Sequence, residues 1–580
     1  MLRGAGIVGL LILWLAWSLD GSRAEDRPQP LTERPRLAVI VVFDQLRGDF
    51  LPRWRALFGE GGFERLMSEG AWFPNCHYRH ATTNTGPGHA TIATGTFPQR
   101  HGIISNDWYE RSEQASVNCV QVTGAAAERA ARVPPAETLD DDEEEPARPR
   151  PASKPRGYSP ERLRSPTLAD ALKTATQGTG RVVSISFKDR SAILPAGRSA
   201  DLCCWLGSDT GTFVTSRFYR ERLPQWVAEY NASRPADRWF GTIWDRLRPD
   251  VNYDCWAGPD DVEAEGLGTF QGRTFPHPLG FPPLLVKSYY GALYNSPFGN
   301  ELLLDFAKKA IVAEKLGQDD VPDLLCVSFS SNDAVGHCYG PDSHEVLDTT
   351  LRSDRTLREL LIFLDEYVGK GRYVLALTAD HGICPLPEVA KLEGKDAARI
   401  SPLLVDFGSE RMLQERFGKD SVRGKWIEAR SGFWYYLNRE TIQRAGADPR
   451  EVERALADWL KARPGVERVW TRSQLAEKPD DPIGQAVWRT FHPDRCGEVY
   501  VVVKPYYLPL VAKVGTTHGT PHDYDTHVPL ILFGAGIRRG VFEQRVGPEV
   551  IAGALAEALG IAPPGDAEPV SLETLLRNAP

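Results

Sequence analysis

The stretch Leu37-Ala-Val-Ile-Val-Val-Phe-Asp44 decides the reading of the fold. Seven apolar residues without polar alternation predict a strand buried in a sheet, and the run stops at a carboxylate. Open α/β sheets bind ligands at the carboxyl ends of their strands, so Asp44 stands where such a sheet places its chemistry. Two later stretches repeat the pattern: Leu324-Leu-Cys-Val-Ser-Phe-Ser330 leads into Asp333-Ala-Val-Gly-His337, and Tyr373-Val-Leu-Ala-Leu-Thr378 leads into Asp380-His381-Gly382. A further histidine, His518 in Gly515-Thr-Thr-His-Gly519, precedes the apolar stretch Val528-Pro-Leu-Ile-Leu-Phe533. Between the second and third strands, Leu357, Leu360, Leu361 and Leu364 fall at helical spacing. They predict an amphipathic helix over 346–368 that joins neighbouring parallel strands. Strand and helix signals alternate at both ends of the chain. The expected fold is therefore α/β, a mostly parallel central sheet flanked by helices, with inserted cap subdomains.

At 580 residues the chain exceeds the size at which a single core stops growing, so one large catalytic domain over 33–580 with sizeable insertions is expected. A net charge of -9 gives no basic footprint and argues against a nucleic-acid-binding surface. Residues 1–24 carry Arg3, an apolar stretch from Ile7 to Leu19 and the small-residue site Ser22-Arg-Ala24, the layout of a secretory signal peptide. This predicts a periplasmic or secreted mature protein without membrane association, unless the segment stays uncleaved as an anchor. Nine cysteines allow disulfides in an oxidising compartment but leave one unpaired in a monomer.

Three insertions interrupt the domain. Residues 134–166 are Pro-rich and charged, with the block Asp140-Asp-Asp-Glu-Glu-Glu145, and predict a mobile surface excursion. Residues 200–300 form an aromatic-rich cap, in which Trp226, Tyr230, Trp239, Trp244 and Tyr253 read as packed core rather than a carbohydrate platform. Residues 390–510 carry their own helical pattern, centred on Asp448 to Leu460, and read as a second inserted subdomain.

The chemistry centres on Thr85, in Ala81-Thr-Thr-Asn-Thr-Gly-Pro-Gly-His-Ala90. A threonine hydroxyl is a poor nucleophile at neutral pH unless a metal or base activates it. The Asp and His positions already named are seven with Thr85, enough for two metal ions, and a histidine-containing set favours Zn2+ over Mg2+ or Ca2+, with Mn2+ as the alternative. Two ions about 4 Å apart clamp the attacking and leaving oxygens of an in-line displacement, which points to a small-molecule phosphate ester as substrate. Gly86-Pro-Gly88 opens a helix whose N-terminal amides add to the anion-stabilising field. His522 and His527 compete with His518 for the last ligand position, and His89 reads as packing for the nucleophile helix. His77, His80 and His101 have no stronger claim. Oligomeric state has no signature in the sequence.

The order strand-Asp, Thr before Gly-x-Gly-His, Asp-x-x-x-His, Asp-His-Gly, Thr-His-Gly resembles the alkaline phosphatase superfamily, and in particular the phosphate-irrepressible bacterial alkaline phosphatases of the PafA type. The resemblance runs from Asp44 through the segment ending at Pro529. It implies that Asp44, Thr85, Asp380 and His381 surround one zinc and that Asp333, His337 and His518 hold the other. In Val182-Val-Ser-Ile-Ser-Phe-Lys-Asp-Arg190, an extended backbone would put Lys188 and Arg190 on one face. On composition alone that is a solvated charge cluster, whereas the resemblance implies a pair gripping a dianionic phosphoryl group. It also implies that Asn106, otherwise a turn residue, contacts a phosphoryl oxygen. The expected activity is monoester hydrolysis through a phosphothreonine. The rivals are a nucleotide pyrophosphatase or phosphodiesterase of the same superfamily, and an inactive metal- or ligand-binding cell-surface protein. A sulfatase is disfavoured because its formylglycine derives from Cys or Ser.

Overall fold

The computed structural model describes residues 34–133, 157–283, 285, 287–418 and 424–576. The 1–24 signal reading and most of the charged excursion, 134–156, lie outside the described residues. The end of that excursion does not stand free: Gly157–Tyr158 pairs with Gln121–Val122.

Seven strands position the site: β1 (Leu37–Phe43), β2 (Val182–Ser186), β3 (Leu202–Gly207), β4 (Thr212–Ser216), β5 (Asp323–Phe329), β6 (Tyr373–Thr378) and β7 (Leu530–Gly534). They belong to a ten-stranded sheet in which they run β7-β6-β1-β5-β2-β3-β4, with Ala71–Trp72 and Gly540–Val541 beyond β7 and Arg132–Val133 beyond β4. The five middle strands, β6 to β3, are parallel. β7 and β4 close the block antiparallel on either side. Every residue of β1, β5 and β6 is buried, which is why these strands read as unbroken apolar runs.

Four helices frame the strand ends: α1 (Thr85–Thr94), α2 (Asp189–Ala196), α3 (Ser331–Tyr339) and α4 (His344–Leu364). The helix expected over 346–368 begins two residues earlier, because the Ser343 hydroxyl accepts from Val346 N and caps it. Its regular part ends at Leu364 in a wider turn over Asp365–Gly369. It also joins strands that are not neighbours, since β1 lies between β5 and β6.

One further expectation shifts. Residues 202–216, placed in the cap by their aromatic composition, are strands β3 and β4 of the central sheet. Beyond them Tyr230, Trp239, Trp244 and Tyr253 are buried. Trp244 Nε1 and Tyr253 OH donate to Asp348 at 2.8 Å each, tying this segment to α4. Within 390–510, a four-stranded sheet runs Ile427–Ser431, Trp434–Leu437, Val499–Val503, Val466–Thr471. Helix Pro449–Lys461 covers it and packs Val452, Leu456 and Leu460 against Leu437, Val499 and Val501 in a core of its own. All nine cysteines are unpaired. Among the described residues no helix is long and apolar enough to cross a membrane.

Candidate active site

Strand register brings the carboxylates together. β1 lies against β6 with Val42 beside Thr378, so two residues further on Asp44 and Asp380 come level at the same end of the sheet. On the other side Phe43 lies beside Phe329, and the chain turns at Ser330 into α3. Asp333 and His337 then stand one helical turn apart on the same face. His518 enters from the loop before β7. Two groups result: Asp44, Asp380 and His381 offer ligand atoms within 4.8 Å of one another, and so do Asp333, His337 and His518.

The three imidazoles are oriented alike. Nδ1 of His337, His381 and His518 lies 2.8, 2.9 and 2.7 Å from the carbonyls of Thr516, Gly382 and Thr83. Each Nδ1–H donates to its carbonyl, which turns Nε2 toward the carboxylates, the usual posture of a metal-ligating histidine. Burial pushes His518 well below the ordinary imidazole range and lowers His381, keeping both rings neutral. At His337 burial works the same way, but Asp333 at 3.2 Å outweighs it and raises the imidazole above its ordinary value. Asp44 Oδ1 is a buried acceptor without a hydrogen-bond donor, and Asp380 Oδ2 has nearby only His89 Nδ1, which also meets the Thr85 carbonyl. Orphaned carboxylate oxygens in a dry interior are costly, and divalent cations fit this donor set.

Thr85 opens α1, with Asn84 extended before it. Its Oγ1 lies 3.4 Å from His381 Nε2 and 3.5 Å from both Lys188 Nζ and Arg190 Nη2. The two cations do not share a strand face as the sequence suggested. β2 ends at Ser186, Lys188 precedes α2, and Arg190 sits in its first turn. A helical start fans the two side chains inward onto one hydroxyl. Lys188 Nζ also bridges the groups, at 2.7 Å from Asp44 Oδ2 and 2.6 Å from Asp333 Oδ2. Burial disfavours its charge, yet the two carboxylates prevail and raise it above the ordinary lysine range. Burial lifts Asp44 well above the usual carboxylate range, with Asp380 adding repulsion and Lys188 offsetting part of it.

Asn106 Oδ1 accepts from Gly86 N at 2.6 Å. That bond uses one amide of the helix start that the sequence reading offered to the anion, and leaves the Asn106 amino group as the donor on this side. One contributor escaped the sequence, and a second does more than its packing role. Gln45 donates from its backbone to Asp380 Oδ1 at 3.1 Å and from Nε2 to Asp333 Oδ1 at 2.6 Å, linking the two groups. His89, inside α1, packs it against the sheet as expected, with Nε2 2.8 Å from Ser328 Oγ, but its Nδ1 also lies 3.2 Å from Asp380 Oδ2 and 2.9 Å from the Thr85 carbonyl. Its spacing of four from Thr85 was the only available signal. His522 and His527 are engaged elsewhere, with Nε2 at 2.7 Å from the carbonyls of Val503 and Pro74. His77, His80 and His101 belong to neither ligand group.

A cavity of about 230 Å³ opens beside this site, touching Asn84 and His518. A larger one of about 990 Å³ lies among Arg47, Arg79, Arg489 and Arg545; His522 and His527 line it, but no residue of the two ligand groups does. The smaller is the relevant one, because it borders both Asn84 at the start of α1 and His518 of the second candidate group.

Comparison with known proteins places the chain. The type I phosphodiesterase / nucleotide pyrophosphatase family profile matches residues 38–525. Alkaline phosphatase PafA of Elizabethkingia meningoseptica is 34% identical over 526 residues, 88% of this chain and 89% of the relative. Alkaline phosphatase PhoV of Synechococcus elongatus is 32% identical over 552 residues, 92% of each chain. The crystal structure of wild-type PafA superimposes with a TM-score of 0.83 at 32% identity, covering 94% of this chain and 99% of that one.

Proposed function

The chain belongs to the type I phosphodiesterase / nucleotide pyrophosphatase family, and from that premise we propose that it is a phosphatase that hydrolyses phosphate monoesters through Thr85. That it is a phosphoric ester hydrolase of the alkaline phosphatase superfamily follows from relatives named alkaline phosphatase along nearly the whole chain. The finer reading rests on one observation: Lys188 and Arg190 converge on the Thr85 hydroxyl between the two ligand groups. A transferring monoester phosphoryl group is dianionic, and two cations at the nucleophile stabilise charge that a monoanionic diester lacks.

In this reading Asp44, Asp380 and His381, with Thr85, hold one divalent cation and Asp333, His337 and His518 the other, with Zn2+ the best match to the ligands. When bound, such ions act as Lewis acids toward the attacking and leaving oxygens. The protein's own groups do the rest. α1 fixes Thr85 at the sheet end, and the Lys188 ammonium and Arg190 guanidinium favour loss of the Oγ1 proton and grip the phosphoryl oxygens. The Asn106 amino group supplies a further donor, while Gln45 keeps Asp333 and Asp380 in fixed orientation. Attack by Oγ1 breaks the bond from phosphorus to the ester oxygen, giving a phosphothreonine and releasing the alcohol; water then cleaves the phosphothreonine to inorganic phosphate and restores the Thr85 hydroxyl. The layout of residues 1–24 supports a periplasmic or secreted location.

The test is the double variant Lys188→Ala/Arg190→Ala on one metal-loaded preparation, with a nitrophenyl monoester and its methyl diester. Charge-assisted contacts of about 1.5 to 3 kcal/mol each predict a loss of one to two orders of magnitude in monoester kcat/KM per contact. Diester kcat/KM should fall far less. Equal proportional losses would transfer the assignment to a phosphodiesterase.

A further inference from the structure

The cavity of about 230 Å³ that borders Asn84 and His518 has no role yet beyond the part His518 plays in its ligand group. Its wall includes Asn84, Ser105, Phe433, Trp434, Thr517 and His518. Asn84 directly precedes the nucleophile, and His518 belongs to the ligand group that does not contain Thr85's neighbour His381. In an in-line displacement the leaving oxygen departs opposite the nucleophile, and in the proposed reading the group that contains His518 would receive it. The outer wall comes from the hairpin of the four-stranded sheet, where Gly432 makes the turn and Phe433 projects half-buried beside Tyr500.

Two details shape the space. A Cβ on Gly519 would lie 2.9 Å from Asn84 Oδ1 and 3.8 Å from Phe433 Cε2, so glycine there keeps open the gap between nucleophile helix and hairpin. Arg430, the one arginine in the wall, is already neutralised: its Nε lies 2.9 Å from Asp406 and its Nη1 donates to the Gly432 carbonyl at 2.8 Å. No uncompensated cation is left to attract a charged leaving group. The opening exceeds the roughly 150 Å³ that accommodates a benzene ring.

We propose that this cavity is the leaving-group subsite and that it selects monoesters of uncharged, single-ring alcohols, whose ring packs against Phe433. The inference rests on the monoesterase reading. Benzyl and ethyl phosphate test it, since their alcohols are similar leaving groups and differ in the ring. Partial burial of one ring predicts a benzyl-to-ethyl kcat/KM ratio of about ten or more in the parent. The ratio should collapse toward one in Phe433→Ala and persist in Phe433→Tyr, which keeps the ring. Benzylphosphonate should likewise inhibit the parent more tightly than ethylphosphonate, a comparison that needs no variant. A parent ratio near one, or an unchanged ratio in Phe433→Ala, overturns the subsite and leaves the monoesterase reading standing. A parent that cleaves the methyl nitrophenyl diester but neither monoester defeats the monoesterase reading, and the subsite with it.

Discussion

His518 and His527 share one short segment but face different partners, and this contrast carries the ligand assignment at the scale of single residues. His518 Nε2 lies 3.7 Å from Asp333 Oδ1, whereas His527 Nε2 lies against the Pro74 carbonyl and its ring stacks on His77. His518→Ala should therefore lose about one equivalent of bound zinc. Its affinity deficit should exceed the roughly 10- to 100-fold typical of losing a supporting partner. His527→Ala should keep the parental stoichiometry, so metal analysis of the two purified variants decides. Equal zinc content in the His518 variant and the parent would move the ligand role elsewhere. The ligand candidates were legible because each sits where an apolar strand ends or beside a Gly-flanked histidine. Gln45 was not, nor was the contact of His89 with Asp380, because a glutamine after a strand-end Asp has no signature and a helix histidine shows only its spacing until the fold brings Asp333 and Asp380 to them.

At the scale of elements, the site depends on how closely α1 approaches the end of β6. A Cβ on Gly88 would clash with the Asp380 carbonyl oxygen, so α1 rests on that strand end through a glycine. In an open helix interior Gly→Ala gains about 0.5–1 kcal/mol. Here overpacking, typically 1–3 kcal/mol, opposes that gain and should win. Gly88→Ala is expected to lower the melting temperature and to reduce kcat by displacing Thr85 from Lys188 and Arg190. A variant as stable and active as the parent would show that α1 has room to move. The elements themselves were largely legible: buried apolar runs gave β1, β5 and β6, and leucine spacing gave α4. The 182–190 segment was misread because alternation continues past Ser186 in the sequence, while the chain already turns into α2.

For the whole molecule, the parallel core presents its strand ends to one catalytic centre, and the hairpin of the 390–510 region closes over its side. Sequence reading anticipated the α/β architecture, but not that β1 separates β5 from β6, nor that residues 202–216 extend the sheet. Strand order depends on contacts distant in sequence, and aromatic composition cannot distinguish a sheet margin from a cap. The central claim joins this architecture to chemistry: a phosphoryl group passes first to Thr85 and then to water. Its most direct test is the stereochemical course of transfer from an isotopically chiral phosphate monoester to an acceptor alcohol. Two successive in-line displacements at phosphorus predict net retention of configuration. Net inversion would mean that the acceptor attacks the substrate directly and would contradict a phosphothreonine at Thr85.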